Sequence, residues 1–145
     1  MYYFFIENGK INGCGQCQCM NDEIQNVEVS EEVFRAFNED ILRYVWDGEK
    51  VIDNPNYEAD KQAQEREELN HLSLTKREVF LALYKDKGIT PEQIKASITS
   101  PEALIEFDYA TEYFRGNPLI DAIGTQLGYT PDDMDYLFQN GELPE

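Results

Sequence analysis

Residues 27–72 read VEVSEEVFRAFNEDILRYVWDGEKVIDNPNYEADKQAQEREELNHL, and the chain changes character twice inside them. VEVSEEVF runs a short extended piece into a capped helix start. Ser30 suits an N-cap, and Glu31 and Glu32 sit where the helix dipole favours negative charge. Val33, Phe34, Phe37 and Ile41 recur at helical spacing and should face one side. RYVWDGEKVIDNP then reads as strand, tight turn, strand and stop. Tyr44–Trp46 and Lys50–Ile52 flank the turn pair Asp47-Gly48, and Asn54-Pro55 ends the extended run. Last comes NYEADKQAQEREELNHL, with ten charged or amide side chains between Glu58 and Asn70. Its apolar stripe is too weak for a buried face, so it predicts a solvated helix.

On the N-terminal side, Tyr2–Ile6 is aromatic-rich and reads as a strand, followed at once by Asn8-Gly9, a strong hairpin signal. The return strand enters GCGQCQC, which is too glycine-rich to be a plain strand. Ile24–Val29 alternates and predicts another strand. A sheet of three to five strands with one helix is therefore expected over residues 1–56.

On the C-terminal side the chain is helical and regularly punctuated. Thr75 with Glu78 predicts a capping box opening a helix to Gly88, with Val79, Phe80, Leu83 and Tyr84 as its apolar face. Thr90-Pro91, Ser100-Pro101, Asn117-Pro118 and Thr130-Pro131 each place a capping residue before a proline, which is tolerated at the first helical position. Gly88, Gly116 and Gly128 fall where helices should end. Helices are expected over 101–115 (Leu104, Phe107, Ala110, Thr111 and Phe114 on one face), 118–127 (Leu119, Ile120, Ile123 and Leu127) and from 131 (Met134, Leu137 and Phe138). The fold class is thus α+β: a small sheet head with one helix (1–56), a charged linker helix (57–73) and a bundle of about five short helices (74–145).

Composition narrows the function. The chain has 145 residues, 41% apolar and 12% aromatic, too rich for a disordered chain. Its net charge is −17, from 29 acidic and 12 basic residues, and the acids are spread over both halves. A field of that sign repels phosphate backbones, so nucleic acid is not an expected partner. No stretch approaches the ~20 apolar residues of a membrane span. MYYFFIENG lacks the basic start and long apolar core of a signal peptide, so a cytoplasmic protein is expected. No phosphate-binding loop, dinucleotide fingerprint or nucleophile elbow is present, and a non-enzymatic protein is the expectation.

Cys14, Cys17 and Cys19 form the sharpest chemical candidate. Thiolates in a C-x2-C-x-C order on a glycine-rich loop can share a metal such as zinc, given a fourth ligand or a second subunit. A Cys14–Cys17 disulfide and a plain reduced turn are the other readings. His71, the one histidine, lies far along the chain from them. Asp132, Asp133 and Asp135 read as dipole-favoured surface charge at a helix start. They also make LIDAIGTQLGYTPDDMDYLF a helical corner, since a DNA-reading helix would not lead with acids.

The layout resembles tail-fibre assembly and related tail accessory proteins of Gram-positive phages and prophages. The resembling pieces are YYFFIENGKI, NVEVSEEVF, YVWDGEKVIDNPNYE and QAQEREELNHLSLTKREVFLAL, in that order, then the helical SPEALIEFDYATEYFRGNPLIDAIGTQLGYTPDDMDYLF. The resemblance implies a chaperone for fibre folding or a minor virion component. Its partner would be a tail-fibre or receptor-binding protein, met in the host cytoplasm during assembly, with retention in the tail and self-association both open. An aromatic strand edge could hold half-folded β-structure by strand addition, with Tyr2, Tyr3, Phe4, Tyr44 and Trp46 as the contact residues. The alternative is an acidic, DNA-mimicking inhibitor of a host defence nuclease, which should gather its acids on one face.

Overall fold

The computed structural model describes all 145 residues. The chain is α+β, with seven helices and seven strands. It divides into two compact units, Met1–Ala63 and Gln64–Glu145.

The first unit opens with β1 (Tyr2–Glu7) and β2 (Lys10–Gly15), joined at Asn8-Gly9. Both turn residues have positive φ, 51° and 75°, the backbone that a two-residue type I′ turn requires. β3 (Gln25–Val29) pairs antiparallel on the other side of β1, in the order β2-β1-β3. Phe4 and Ile6 of β1 point to one face and are buried there with Phe37 of α1 (Glu31–Glu39). The Phe4 and Phe37 ring centroids lie 4.7 Å apart. Ser30 caps α1 as expected, accepting from the Val33 N–H. Ile41 does not join the apolar face: α1 ends at its C-cap Asp40, and Ile41 is 63% exposed.

The glycine-rich return is a regular strand after all. β2 continues through Gly13-Cys14-Gly15, with one bulge where Asn12 has no partner between Gly13 and Ile11. The glycines admit the ring of Phe5 on the opposite face. A Cβ on Gly15 would stand 2.9 Å from Phe5 Cζ.

β4 (Tyr44–Trp46) and β5 (Val51–Asp53) form a separate two-stranded ladder. Their link is a four-residue loop rather than a tight two-residue turn. Asp47 organises it, its Oδ1 accepting from the Glu49 and Lys50 N–H groups at 2.8 Å each.

The unit boundary falls inside α2 (Tyr57–Asn70), which buries no residue. Its first turns belong to the first unit. The Tyr57 hydroxyl donates to Asp40 Oδ2 at 2.6 Å, and Lys61 Nζ reaches the same oxygen at 3.3 Å. Its last turn belongs to the second unit, where Gly116 N–H donates to the Asn70 carbonyl at 3.1 Å.

The second unit holds the larger core. β6 (Ser73–Thr75) leads into α3 (Lys76–Lys87), then α4 (Pro91–Ala96), α5 (Pro101–Tyr109), β7 (Glu112–Phe114), α6 (Pro118–Leu127) and α7 (Pro131–Asn140). All five expected caps are present, and Thr75, Thr90 and Thr130 complete reciprocal boxes with Glu78, Gln93 and Asp133. Leu83, Ile94, Phe107, Ile120, Met134 and Leu137 meet in one cluster. Tyr84 is 59% exposed, and Ala82 takes its place on the buried face of α3.

The expected helix over 101–115 breaks in two. α5 stops at Tyr109, and Glu112–Phe114 pairs with Ser73–Thr75 as a small antiparallel ladder. The stop has a physical cause. The Phe107 carbonyl, orphaned at the helix end, accepts from Lys76 Nζ and from the Tyr113 hydroxyl. Tyr113 is thereby buried, and Phe114 turns outward. Gly116 follows this strand and ends no helix. It allows a close approach instead, since a Cβ there would stand 2.9 Å from Asn70 Cβ.

Arg115 is the unit's buried cation, 2% exposed. Its Nε donates to Asp135 Oδ1 at 2.6 Å, and its Nη2 to Asp121 Oδ1 at 3.0 Å and the Pro131 carbonyl at 3.1 Å. Asp135 also receives Arg66 Nη1 at 2.9 Å. Asp135 is therefore no free surface charge: from α7 it holds Arg66 of α2 and Arg115, the residue that follows β7.

Candidate protein-docking site

The candidate site lies in the first unit, around the β4–β5 ladder. Asn54 holds the base of that ladder. Its Nδ2 donates to the Leu42 carbonyl and to Asp60 Oδ2, both at 2.8 Å, its Oδ1 accepts from Asn56 N–H, and its backbone N–H donates to the Arg43 carbonyl. Asn54 is buried with every polar atom used. From the sequence it reads only as a strand stop. Asp40 braces the same corner. Its carboxyl sits below the usual range, held there by the Tyr57 hydroxyl and then by the Leu42 N–H.

Two grooves flank the ladder. One, of about 610 Å3, lies between β2 and β4 and is lined by Ile11, Phe37, Leu42, Tyr44 and Trp46 among others. The other, of about 630 Å3, lies between β3 and β5. Val27, Val29, Val33, Tyr44 and Val51 line it, and the same five side chains pack onto the Phe4 core. Glu28, Glu49, Asp53 and Lys50 stand along it.

Strand spacing separates the two. β3 pairs only with β1 and β5 only with β4, so each leaves one row of backbone N–H and C=O groups unpaired. A strand lying between two others needs two spacings of about 4.8 Å. β2 and β4 come within 8 Å of each other at several Cα positions, which is too close. β3 and β5 have no such run of close approach.

The sequence-predicted contact residues scatter across this unit. Phe4 is 0% exposed and Tyr3 8%, so neither ring is available to a partner: strand alternation sends Phe4 into the core. Tyr3, on the other face, donates from its hydroxyl to Met1 Sδ. Tyr2 is half-buried, its ring 4.7 Å from that of Phe34. Tyr44 lines both grooves and Trp46 the β2–β4 groove. The aromatic density of YYFFI therefore marks a core. The valines that line the β3–β5 groove carry no signal in a lone sequence beyond ordinary strand alternation.

The cysteines do not converge. Cys14 pairs across from Phe4 on the α1 side, where its Sγ lies 3.4 Å from Asn38 Oδ1. Asn26, which pairs with Phe5 on the opposite face, holds the Cys19 backbone at both its N–H and its carbonyl. Cys17 is exposed, and all three thiols are free. No group of three or more His, Cys, Asp or Glu is gathered as a metal would need. His71 is exposed just after α2 and pairs with Glu67 at 2.8 Å.

No protein-family model, curated protein sequence or solved structure matches the chain. No helix is long and apolar enough to cross a membrane.

Proposed function

We propose that this is a non-enzymatic binding protein that captures an extended segment of another protein by strand addition between β3 and β5. The supporting observation is the groove where two unpaired strand edges border one apolar floor. Main-chain hydrogen bonds to the edges supply affinity that does not depend on the segment's sequence, and the valine floor selects apolar side chains at alternate positions. Such a groove suits an accessory factor for β-rich fibres, whose unfinished strands otherwise pair with one another. The tail-fibre or receptor-binding protein of a phage is the partner proposed on the resemblance, with Tyr44 at the groove floor in place of the buried Tyr3 and Phe4.

Hydrogen exchange on the full chain mixed with the fibre protein of the genome that encodes it tests the reading. Slowed exchange in Gln25–Val29 and Val51–Asp53 is the expected result. Complex formation with those amides unchanged would overturn strand addition.

A further inference from the structure

We infer that the segment taken by the β3–β5 groove is basic, with Lys or Arg alternating with β-branched or other apolar residues over about five positions. This rests on the strand-addition reading and goes beyond it by naming the partner's chemistry. β3 sets the length, at five residues, about 17 Å of extended chain. Its alternation sets the pattern. Val27 and Val29 point into the groove floor, so every second side chain of an added strand meets apolar surface. Glu28 points to the other face, and cross-strand neighbours share a face, so the intervening residues of the guest lie beside Glu28.

The charge along the groove is net negative. Glu28, Glu49 and Asp53 stand along it with the cation Lys50, on a chain of net charge −17. Glu28 lies beside the guest's intervening residues, while Asp53 shares the floor face of Val51 and Tyr44 at the end of β5. Like charges set opposite each other in a ladder are unfavourable, so an acidic guest is rejected and a basic one is drawn in. Glu28, Glu49 and Asp53 are exposed, and none has a hydrogen-bond or ion-pair partner through its side chain that would neutralise it.

Three labelled peptides sharing one alternating valine pattern, titrated into the full chain by fluorescence anisotropy, test this. One carries lysine at the alternate positions, one glutamate, and one is the lysine peptide with a central proline. The lysine peptide should bind at least about tenfold tighter than the glutamate peptide at low salt, with the gap closing as salt screens it. It should slow exchange in Gln25–Val29 and Val51–Asp53, and the proline should abolish both effects. The variant Glu28→Lys, shown folded by circular dichroism, should remove the preference for the lysine peptide. Equal affinity of lysine and glutamate peptides, with protection at β3 and β5, would overturn the charge inference and leave strand addition standing. Tight lysine binding without that protection would overturn it too, by placing the attraction on the acidic surface at large. No protection by any peptide or by the fibre protein would sink the underlying reading.

Discussion

The two units solve the same packing problem with different means. Gln64–Glu145 buries thirteen apolar residues in one cluster and closes the start of each of its helices α3–α7 with a side-chain cap. Met1–Ala63 gathers only three in its cluster, Phe4, Ile6 and Phe37, under a ring of half-buried neighbours, with Tyr3 buried on the other face of the sheet. Its valines serve at once as core boundary and as groove floor. A unit of about sixty residues is marginal by surface-to-volume scaling alone, and an open groove takes away further burial. The difference teaches where a ligand would matter most. A guest strand would complete the first unit's core edge and stabilise it by mass action, whereas the second has little left to complete.

The sharpest break between the units should come from Phe4→Ala. Losing a fully buried phenylalanine costs about 3–5 kcal/mol, comparable to the whole stability of so small a unit. Trp46, the single tryptophan, lies in the first unit, so its emission should report an unfolded environment without denaturant. Amides of Val79 and Leu137 should stay protected. If those amides lose protection as well, the two cores are not separable.

Arg115→Ala should do the reverse. It removes a buried cation and leaves Asp135 with Arg66 alone, at a cost of about 2–4 kcal/mol. The urea midpoint followed by far-ultraviolet circular dichroism, dominated by the second unit's helices, should fall while the Trp46 midpoint holds. Arg66→Ala, at a 42% exposed side chain, should cost less than about 1 kcal/mol.

Gly15→Ala sharpens the comparison within the first unit. The new methyl meets the Phe5 ring at 2.9 Å, and overpacking of this kind costs about 1–3 kcal/mol. Adding Phe5→Leu should restore part of the loss in Trp46-monitored unfolding. No loss from Gly15→Ala would show that the ring moves freely and that the glycines serve another end.

The smallest effect should be that of pH. Asp40 in the first unit is held low chiefly by the Tyr57 hydroxyl, and Glu78 and Asp133 in the second by the backbone N–H groups of Thr75 and Thr130. A carboxyl lowered in the fold stabilises above its unfolded value near 4 and loses that contribution as pH falls through the folded value. Both transitions should therefore weaken together below about pH 4. At the alkaline end burial pushes the Tyr113 phenol up to about 12, and burial with the Asp86 hydrogen bond raises Tyr129 further. A raised phenol stabilises below about pH 10 and loses its contribution as pH climbs from there. Circular dichroism across pH 9–12 should show this loss, and substituting Tyr129→Phe should reduce its slope.

What the residues determined by themselves is local. Helix starts were legible because a cap followed by proline satisfies orphan N–H groups within a few residues, whatever lies beyond. The Asn8-Gly9 turn was legible because two consecutive positive φ angles select those residues. The charged α2 was legible because its composition leaves no face to bury. Tertiary structure alone decided matters that depend on partners distant in the chain. Only the pairing of Ser73–Thr75 with Glu112–Phe114 shows why α5 stops at Tyr109, and only Arg115 shows that Asp135 is bound. The aromatic opening reads as a contact surface in the sequence, and only the packing of α1 over one face of β1 shows that Phe4 is core. The β3–β5 groove is a space between two edges, and no run of residues encodes a space: it exists because β3 and β5 remain unpaired on their outer sides.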